Sequence, residues 1–259
     1  MAPRPNNVLI TGASSGLGAA LARACSAEGV VLHLSGRDGA RLEATALSCR
    51  QLGARVLLRV VDVRDPPAMA EWIAGAGRLD LVIANAGIGT GTGDATEPAA
   101  AARDVFETNL TGVLNTVLPA LDVMAAQAPA ADGWRGHVAV VASIAAFVAG
   151  PSAPAYCASK SAVQRWTEAR DATERRRGIR MHSICPGFVR TPMTAPNPFP
   201  MPFIMTPEEA ARRTLAGIAA GRVRVAFPRR LYVMARLVGA LPPGWRARLL
   251  AQAPPKPLG

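Results

Sequence analysis

Lysine, tyrosine and histidine are scarce in these 259 residues. The lysines are Lys160 and Lys256, the tyrosines Tyr156 and Tyr232, the histidines His33, His137 and His182. Basic charge is therefore carried almost wholly by arginine, and the formal net charge is +11. So few lysines among many alanines fit a GC-rich coding sequence and a solvated basic surface. The functional readings of such charge are attraction to anionic cofactors, acidic partners or a membrane surface. No nucleic-acid motif accompanies it, so no nucleic-acid partner is expected. Each histidine is isolated in the sequence and reads as a core or surface residue. Cys25, Cys49, Cys157 and Cys185 show neither a C-x-x-C pair nor zinc spacing, which points away from a metal site and toward a reducing, cytoplasmic compartment. Apolar runs are too short to span a bilayer. The segment Met1–Asn7 lacks the apolar core of a secretion signal.

What is present is alternation. Half the residues are hydrophobic, ample for one large core. Val8–Ile10 reads as a strand, followed by the turn Thr11-Gly12-Ala13-Ser14-Ser15-Gly16-Leu17-Gly18 and a helix over 19–28. Further strands are expected at 30–34, 55–61, 79–84, 137–142, 179–184 and 222–227. Helices are expected at 40–52, 66–76, 97–127, 154–177 and 207–220, and loops at 88–97 and 128–136. Strict strand–helix alternation with apolar strands points to an α/β fold: a Rossmann-type doubly wound parallel sheet with helices on both faces. No linker or internal repeat divides the chain. One domain over 1–259 is expected, with its core at 7–227.

The chemistry-bearing residues fall at strand ends: Gly12, Asp62, Asn85, Ser143 and Pro186. Ligands of open α/β sheets bind outside the carboxyl ends of the strands. The first turn has G-x-x-x-G-x-G spacing rather than G-x-G-x-x-G, yet its glycines allow close approach of a ligand and the following helix offers free N–H groups to a phosphate. At the tip of the second strand, Arg37 suits a 2′-phosphate, which favours NADP over NAD. Asp38, one step further, is placed to cap the next helix. Tyr156 and Lys160 lie one helical turn apart on one face. A cation beside a phenol favours the phenolate, lowering a pKa of roughly 10 and making an acid/base catalyst.

In order and spacing these pieces resemble the short-chain dehydrogenase/reductase family in its single-domain form. The resemblance runs over 7–227 and rests on Thr11 to Gly18, Asp62-Val63, Asn85-Ala86-Gly87, Asn109, Ser143, Tyr156 to Lys160, and Pro186-Gly187 with Thr191. It implies an enzyme that moves a hydride between a nicotinamide cofactor, NADP or NAD, and a carbonyl or alcohol. Gly12, Ser14, Ser15, Gly16, Leu17 and Gly18 would cradle the cofactor phosphates, and Asp62 and Val63 would contact adenine. Asn85, Ala86 and Gly87 would line the cofactor. Pro186, Gly187, Val189 and Thr191 would frame the nicotinamide. Tyr156 would move the proton, Lys160 would lower its pKa and bind ribose, Ser143 would orient the substrate oxygen, and Asn109 would hold a relaying water. Ser15 stands where many NADP-preferring members carry a basic residue, so the NADP expectation rests on Arg37. A homodimer or homotetramer is implied.

Two segments remain. The stretch 188–206 is rich in Met and Phe, including Met193, and reads either as a loop over a hydrophobic substrate pocket or as core or subunit packing. Residues 228–259 form a basic amphipathic extension with Trp245. It suits peripheral contact with an anionic membrane, an oligomer interface, or a cover over the active-site mouth. A carbonyl reductase or alcohol dehydrogenase is the leading expectation. A 3-oxoacyl-thioester reductase served by an acidic carrier protein is the second, and a nucleotide-sensing scaffold is the non-enzyme alternative.

Overall fold

Seven short apolar segments pair into one all-parallel sheet. The computed structural model describes residues 5–92, 96–197 and 199–250; parts of the expected loop at 88–97, of the 188–206 segment and of both termini lie outside them. The strands are β1 (Asn7–Ile10), β2 (Val31–Gly36), β3 (Arg55–Val60), β4 (Leu81–Ala84), β5 (Gly136–Val141), β6 (Ile179–Pro186) and β7 (Arg224–Phe227). Their order is β3-β2-β1-β4-β5-β6-β7. The chain starts in the middle, winds outward to β3, then crosses back to β4. The topological switch point therefore lies between β1 and β4, where ligands of such sheets bind.

Alternation of side chains builds two cores. Along β1, Val8 and Ile10 join the cluster under one face, while Leu9 joins the cluster under the other. β4 is buried at every position, as a central parallel strand must be. One face is covered by α1 (Gly16–Cys25), α2 (Gly39–Gln51) and α7 (Pro207–Ala219), the other by α3 (Pro66–Ala74), α5 (Gly112–Ala126) and α6 (Pro154–Glu174), with α4 (Ala99–Phe106) leading into α5.

Local chemistry sets the helix starts. Asp38 accepts from Arg41 N at 3.0 Å and caps α2. Asp65 accepts from Ala68 N at 3.1 Å and caps α3, which opens on two prolines. Thr206 caps α7 ahead of Pro207. These satisfy N–H groups the helices leave without partners. α1 begins at Gly16, three residues earlier than the alternation of apolar residues suggests, because the glycine turn itself is the first helical turn. The expected helix over 97–127 is interrupted by a π-turn at Glu107–Thr111. The arginine run 175–177 forms a 3-10 turn after α6, with Arg175 on Asp171 and Arg177 on Glu174.

The histidines are not all isolated in space. His137 on β5 and His182 on β6 stack at 5.3 Å between centroids. His182 Nδ1 faces the Arg222 carbonyl at 2.7 Å and so donates to it. Burial lowers the His182 pKa to about 4, so its Nε2 accepts from His137 Nδ1 at 3.0 Å. His137 Nε2 then meets Asp132 Oδ2 at 2.9 Å. Sequence separation of 45 residues hides this pair.

Gly217 on α7 is the contact that seats β7. A Cβ there would overlap Val225 Cγ1 and come within 2.6 Å of its Cγ2. In an exposed helix, Gly→Ala gains about 1 kcal/mol from propensity. Against a stiff, buried valine, overpacking of about 1–3 kcal/mol outweighs that gain. Gly217→Ala is expected to lower the thermal midpoint; an unchanged or raised midpoint in calorimetry would contradict the packing.

Candidate active site

At the carboxyl edge of the sheet a cleft of 490 Å³ runs from the glycine turn to Tyr156. That volume is within the usual range for small-molecule sites. Every site residue expected from the sequence lines it except Asn109, which sits behind Gly87.

Backbone geometry makes one end of the cleft. Gly12 has φ +66° and a Cβ there would stand 2.7 Å from Ala86 Cα; Gly16 has φ +54°; a Cβ on Gly18 would overlap the Gly12 carbonyl. Only glycine fits such close approach at positive φ. The turn is tied to β4 by Thr11, a residue whose role spacing alone does not reveal. Its Oγ1 accepts from Asn85 N at 3.1 Å and Ala86 N at 3.2 Å. Asn85 Nδ2 answers by donating to the Thr11 and Gly12 carbonyls, each at 3.1 Å. The start of α1 receives no side-chain cap and has no acid in its first turn. Uncapped N–H groups and the positive end of a ten-residue helix thus face the cleft, which fits a phosphate.

Arg37 is exposed at the end of β2, and Arg41 lines the cleft one turn into α2. Arg41 is a second cation that motif reading missed; it lines the same cleft as Arg37. Asp38 is already engaged, as α2 cap and as partner of Arg41 Nε at 3.1 Å. Asp62 is likewise occupied: Arg64 contacts both its oxygens, Nε donating to Oδ1 at 3.1 Å and Nη2 to Oδ2 at 2.7 Å. That hydrogen bonding holds the Asp62 carboxyl below its usual pKa.

At the other end stand the polar groups of α6 and β5. Ser143 caps a 3-10 turn at Ile144–Phe147 by accepting from Ala145 N at 3.1 Å. It also hydrogen-bonds the Tyr156 phenol. Lys160 is only 4% exposed. Its Nζ donates to the Val141 carbonyl at 2.8 Å and lies 5.9 Å from the Tyr156 ring centroid. Burial lowers the lysine pKa to about 8, so the amine is mostly cationic at pH 7. Burial also pushes the Tyr156 pKa above 10, and the Ser143 hydrogen bond offsets that only in part. The net direction is therefore opposite to the expected lysine-driven lowering: desolvation is the largest influence on the phenol, and Nζ is directed at Val141. A phenol so held keeps its proton at neutral pH.

Asn109 is fully buried in the π-turn. Its Oδ1 accepts from Ile88 N at 2.8 Å, and its Nδ2 donates to Ile88 O at 2.9 Å and to Ser159 Oγ at 3.2 Å. The side chain therefore stitches the β4 loop to α6, directly behind Gly87. In the Met- and Phe-rich segment, Met193 lines the cleft while Met205 is buried in the core, so core packing accounts for part of that segment. A larger cavity lies at the opposite edge of the sheet, but three of its arginines, Arg78, Arg135 and Arg180, are spent on the carbonyls of Ala128, Ala125 and Gly221.

Comparison with known proteins adds the following. The family model described as short chain dehydrogenase matches residues 6–198. An uncharacterized oxidoreductase from Myxococcus xanthus (strain DK1622) is 37% identical over 238 residues, 90% of this chain and 92% of that protein. A proposed ketoacyl reductase of the granaticin polyketide synthase from Streptomyces violaceoruber is 36% identical over 192 residues, 71% of this chain and 68% of that protein. Among solved structures, a short chain dehydrogenase from Burkholderia cenocepacia J2315 in complex with NADP superposes with a TM-score of 0.77 at 28% identity, covering 94% of this chain and 97% of that one. One from Mycobacterium paratuberculosis bound to NAD gives 0.70 at 26%, covering 85% and 94%.

The buried lysine carries a signature in stability. Its folded pKa of about 8 lies below its unfolded value near 10.5. Below pH 8 both states are protonated and the desolvation penalty is fully present. Between pH 8 and 10.5 the unfolded state holds more protons, so stability rises with pH. Lys160→Met removes the penalty and leaves the Val141 carbonyl unpaired, for a net gain of about 2 kcal/mol at pH 7. Denaturant titrations are expected to show the variant more stable at pH 7, with the gap closing above pH 8 and reversing by pH 10.5, where only the unpaired Val141 carbonyl of the variant remains. A gap independent of pH would contradict the assignment.

Proposed function

Since the chain belongs to the short-chain dehydrogenase family, we propose that it reduces a lipophilic carbonyl, or oxidises the matching alcohol, with a nicotinamide dinucleotide in this cleft and with Tyr156 moving the proton. The observation that carries the reading is the Ser143–Tyr156 hydrogen bond beside a buried lysine cation, at the far end of a cleft that opens on an uncapped helix start. The nicotinamide supplies the hydride when bound.

The chain's own residues do the rest. Tyr156 Oη holds a proton at neutral pH and gives it to the carbonyl oxygen as that oxygen gains negative charge. Ser143 Oγ fixes that oxygen next to the phenol. The Lys160 ammonium favours the phenolate left behind, an interaction stronger after proton transfer than before it. Lys160 would also hold the ribose, and Asn109, braced on Ile88 and Ser159, holds the wall behind Gly87 where a relaying water would sit. Pro186, Gly187, Val189 and Thr191 would frame the nicotinamide, and Met193 would contribute to the apolar substrate side. A nucleotide-sensing scaffold would need neither the serine–tyrosine bond nor a lysine held at the expense of stability.

NADP is the favoured cofactor. Arg37 after β2 and Arg41 on α2 line the same end of the cleft, and both acids there are engaged, Asp38 as the α2 cap and partner of Arg41, Asp62 as partner of Arg64. Planar guanidinium groups suit a 2′-phosphate. The NADP complex of the Burkholderia cenocepacia protein supports this choice, and the NAD complex of the Mycobacterium paratuberculosis protein marks the alternative. A 3-oxoacyl thioester is the second substrate class, favoured by the similarity to the granaticin protein. We place the enzyme in the cytoplasm as a homodimer or homotetramer; exposed Phe106 on α4 and Leu118 on α5 offer apolar surface for self-association.

The test is a panel of ketones, alcohols and a 3-oxoacyl thioester with NADPH and NADH, followed at the absorbance of the reduced nicotinamide. NADPH is expected to be preferred, and Arg37→Ala to weaken NADPH by roughly tenfold or more while leaving NADH unchanged. Equal use of both cofactors by the wild type would overturn the role of Arg37. Tyr156→Phe is expected to retain cofactor binding and to lower kcat by a factor of about a hundred or more. Full activity in that variant would sink the proton-transfer role.

A further inference from the structure

The chain continues past β7 into α8 (Arg229–Ala240) and α9 (Pro243–Leu250). The inner face of α8 is seated on the site. Leu231 packs over Gly187, Tyr232 meets Phe147 edge-on at 5.1 Å, and Gly239 lies against the Phe147 carbonyl, where any side chain would overlap it. Phe147 ends the 3-10 turn that Ser143 begins. The extension is therefore braced on the segments that flank the cleft.

Among the described residues nothing covers its outer face. Val233, Met234 and Leu237 lie on one side of α8, and Trp245 and Leu249 lie one turn apart on α9. All are exposed, Leu237 to 67% and Trp245 to 68%. Single exposed apolar residues are ordinary, whereas five within seventeen positions form a patch. The charge within the extension is of one sign: residues 229–250 hold five basic and no acidic residues. Arg229, Arg230 and Arg248 are exposed and form no ion pair with the described residues. No helix among the described residues is long and apolar enough to cross a membrane.

We infer that α8 and α9 dock on the surface of an anionic lipid bilayer. A second copy of this chain would bring the same unpaired arginines to the same patch, and like charges repel across an interface. Acidic lipid headgroups supply the missing countercharge, and the acyl boundary takes Leu237, Trp245 and Leu249, the arrangement by which basic amphipathic helices lie in a membrane plane. The docking face needs no turnover. Its consequence for substrate, that the neighbouring cleft draws lipophilic carbonyls from the lipid phase, rests on the proposed reductase activity.

The test is co-sedimentation of the full chain with vesicles of phosphatidylcholine alone and of phosphatidylcholine with phosphatidylglycerol. Three forms are compared: wild type, Leu237→Glu/Trp245→Glu and Arg230→Glu/Arg248→Glu. Every substituted residue except Arg230 and Arg248 is apolar, all are at the surface, and circular dichroism checks that the fold is kept. The wild type is expected to pellet with the anionic vesicles only, with release at high salt. Each double variant should bind at least tenfold more weakly, with turnover of a water-soluble carbonyl unchanged. Equal pelleting of the Leu237→Glu/Trp245→Glu variant, or no pelleting of the wild type, would overturn the proposal. In the second case, a smaller sedimenting species for that variant would assign the face to a second copy. Because binding is read without turnover, failure of the docking face and failure of the reductase reading are separate results.

Discussion

The constraint on which the site depends is the burial of one amine. Lysine is among the residues least often found inside a protein, and this chain has only two. Lys160 is nevertheless enclosed, with Nζ on the Val141 carbonyl at the end of β5. An amine whose pKa is pushed down to about 8 opposes folding at neutral pH. The two apolar cores on either face of the sheet supply the stability that tolerates it. In return the site holds a cation that bulk water does not screen, near a phenol that burial keeps protonated. Phenol and ammonium thus meet at one end of the cleft, with Ser143 bonded to the phenol.

Fixing these groups takes ties between segments far apart in the chain. Thr11 and Asn85 lock the end of β1 to the end of β4, which holds the glycine turn open for a ligand. Asn109 locks the loop after β4 to α6 through Ile88 and Ser159. Both ties lie at the switch point, where the parallel sheet leaves a crevice that no crossover helix fills. The cleft is therefore a product of topology, and the side chains around it hold the backbone at the spacing the chemistry requires.

Much of this was legible in the sequence, and the reasons are physical. Apolar strands alternating with amphipathic helices have few ways to bury both faces, so the doubly wound sheet followed from the pattern. Residues at strand ends share one edge in such a sheet, which is why Gly12, Asn85, Ser143 and Pro186 read as one site and meet in one cleft. What escaped depends on distance in space rather than in sequence. The π-turn around Asn109 leaves the apolar repeat intact, so periodicity reads straight through it. Arg41 belongs to no motif. The His137–His182 stack needs the register of β5 on β6 to be known. Whether Lys160 or burial dominates the phenol pKa is a balance of a 5.9 Å separation against desolvation, and helical spacing fixes neither term. Met193 and Met205 sit in one loop with the same chemistry, yet only the fold sends one to the cleft and the other to the core.

The central claim is that this cleft pairs hydride transfer with proton delivery from Tyr156. It is tested most directly by following one label. The protein is given a ketone it reduces and NADPH carrying deuterium at the transferable C4 position, and the alcohol product is analysed by mass spectrometry over a range of pH. The account predicts that one deuterium lies on the carbinol carbon, and that the rate falls at alkaline pH, first as the Lys160 ammonium titrates at about 8 and then as the Tyr156 phenol loses its proton. An alcohol formed without deuterium on carbon, or a rate that rises steadily through that alkaline range, would contradict it.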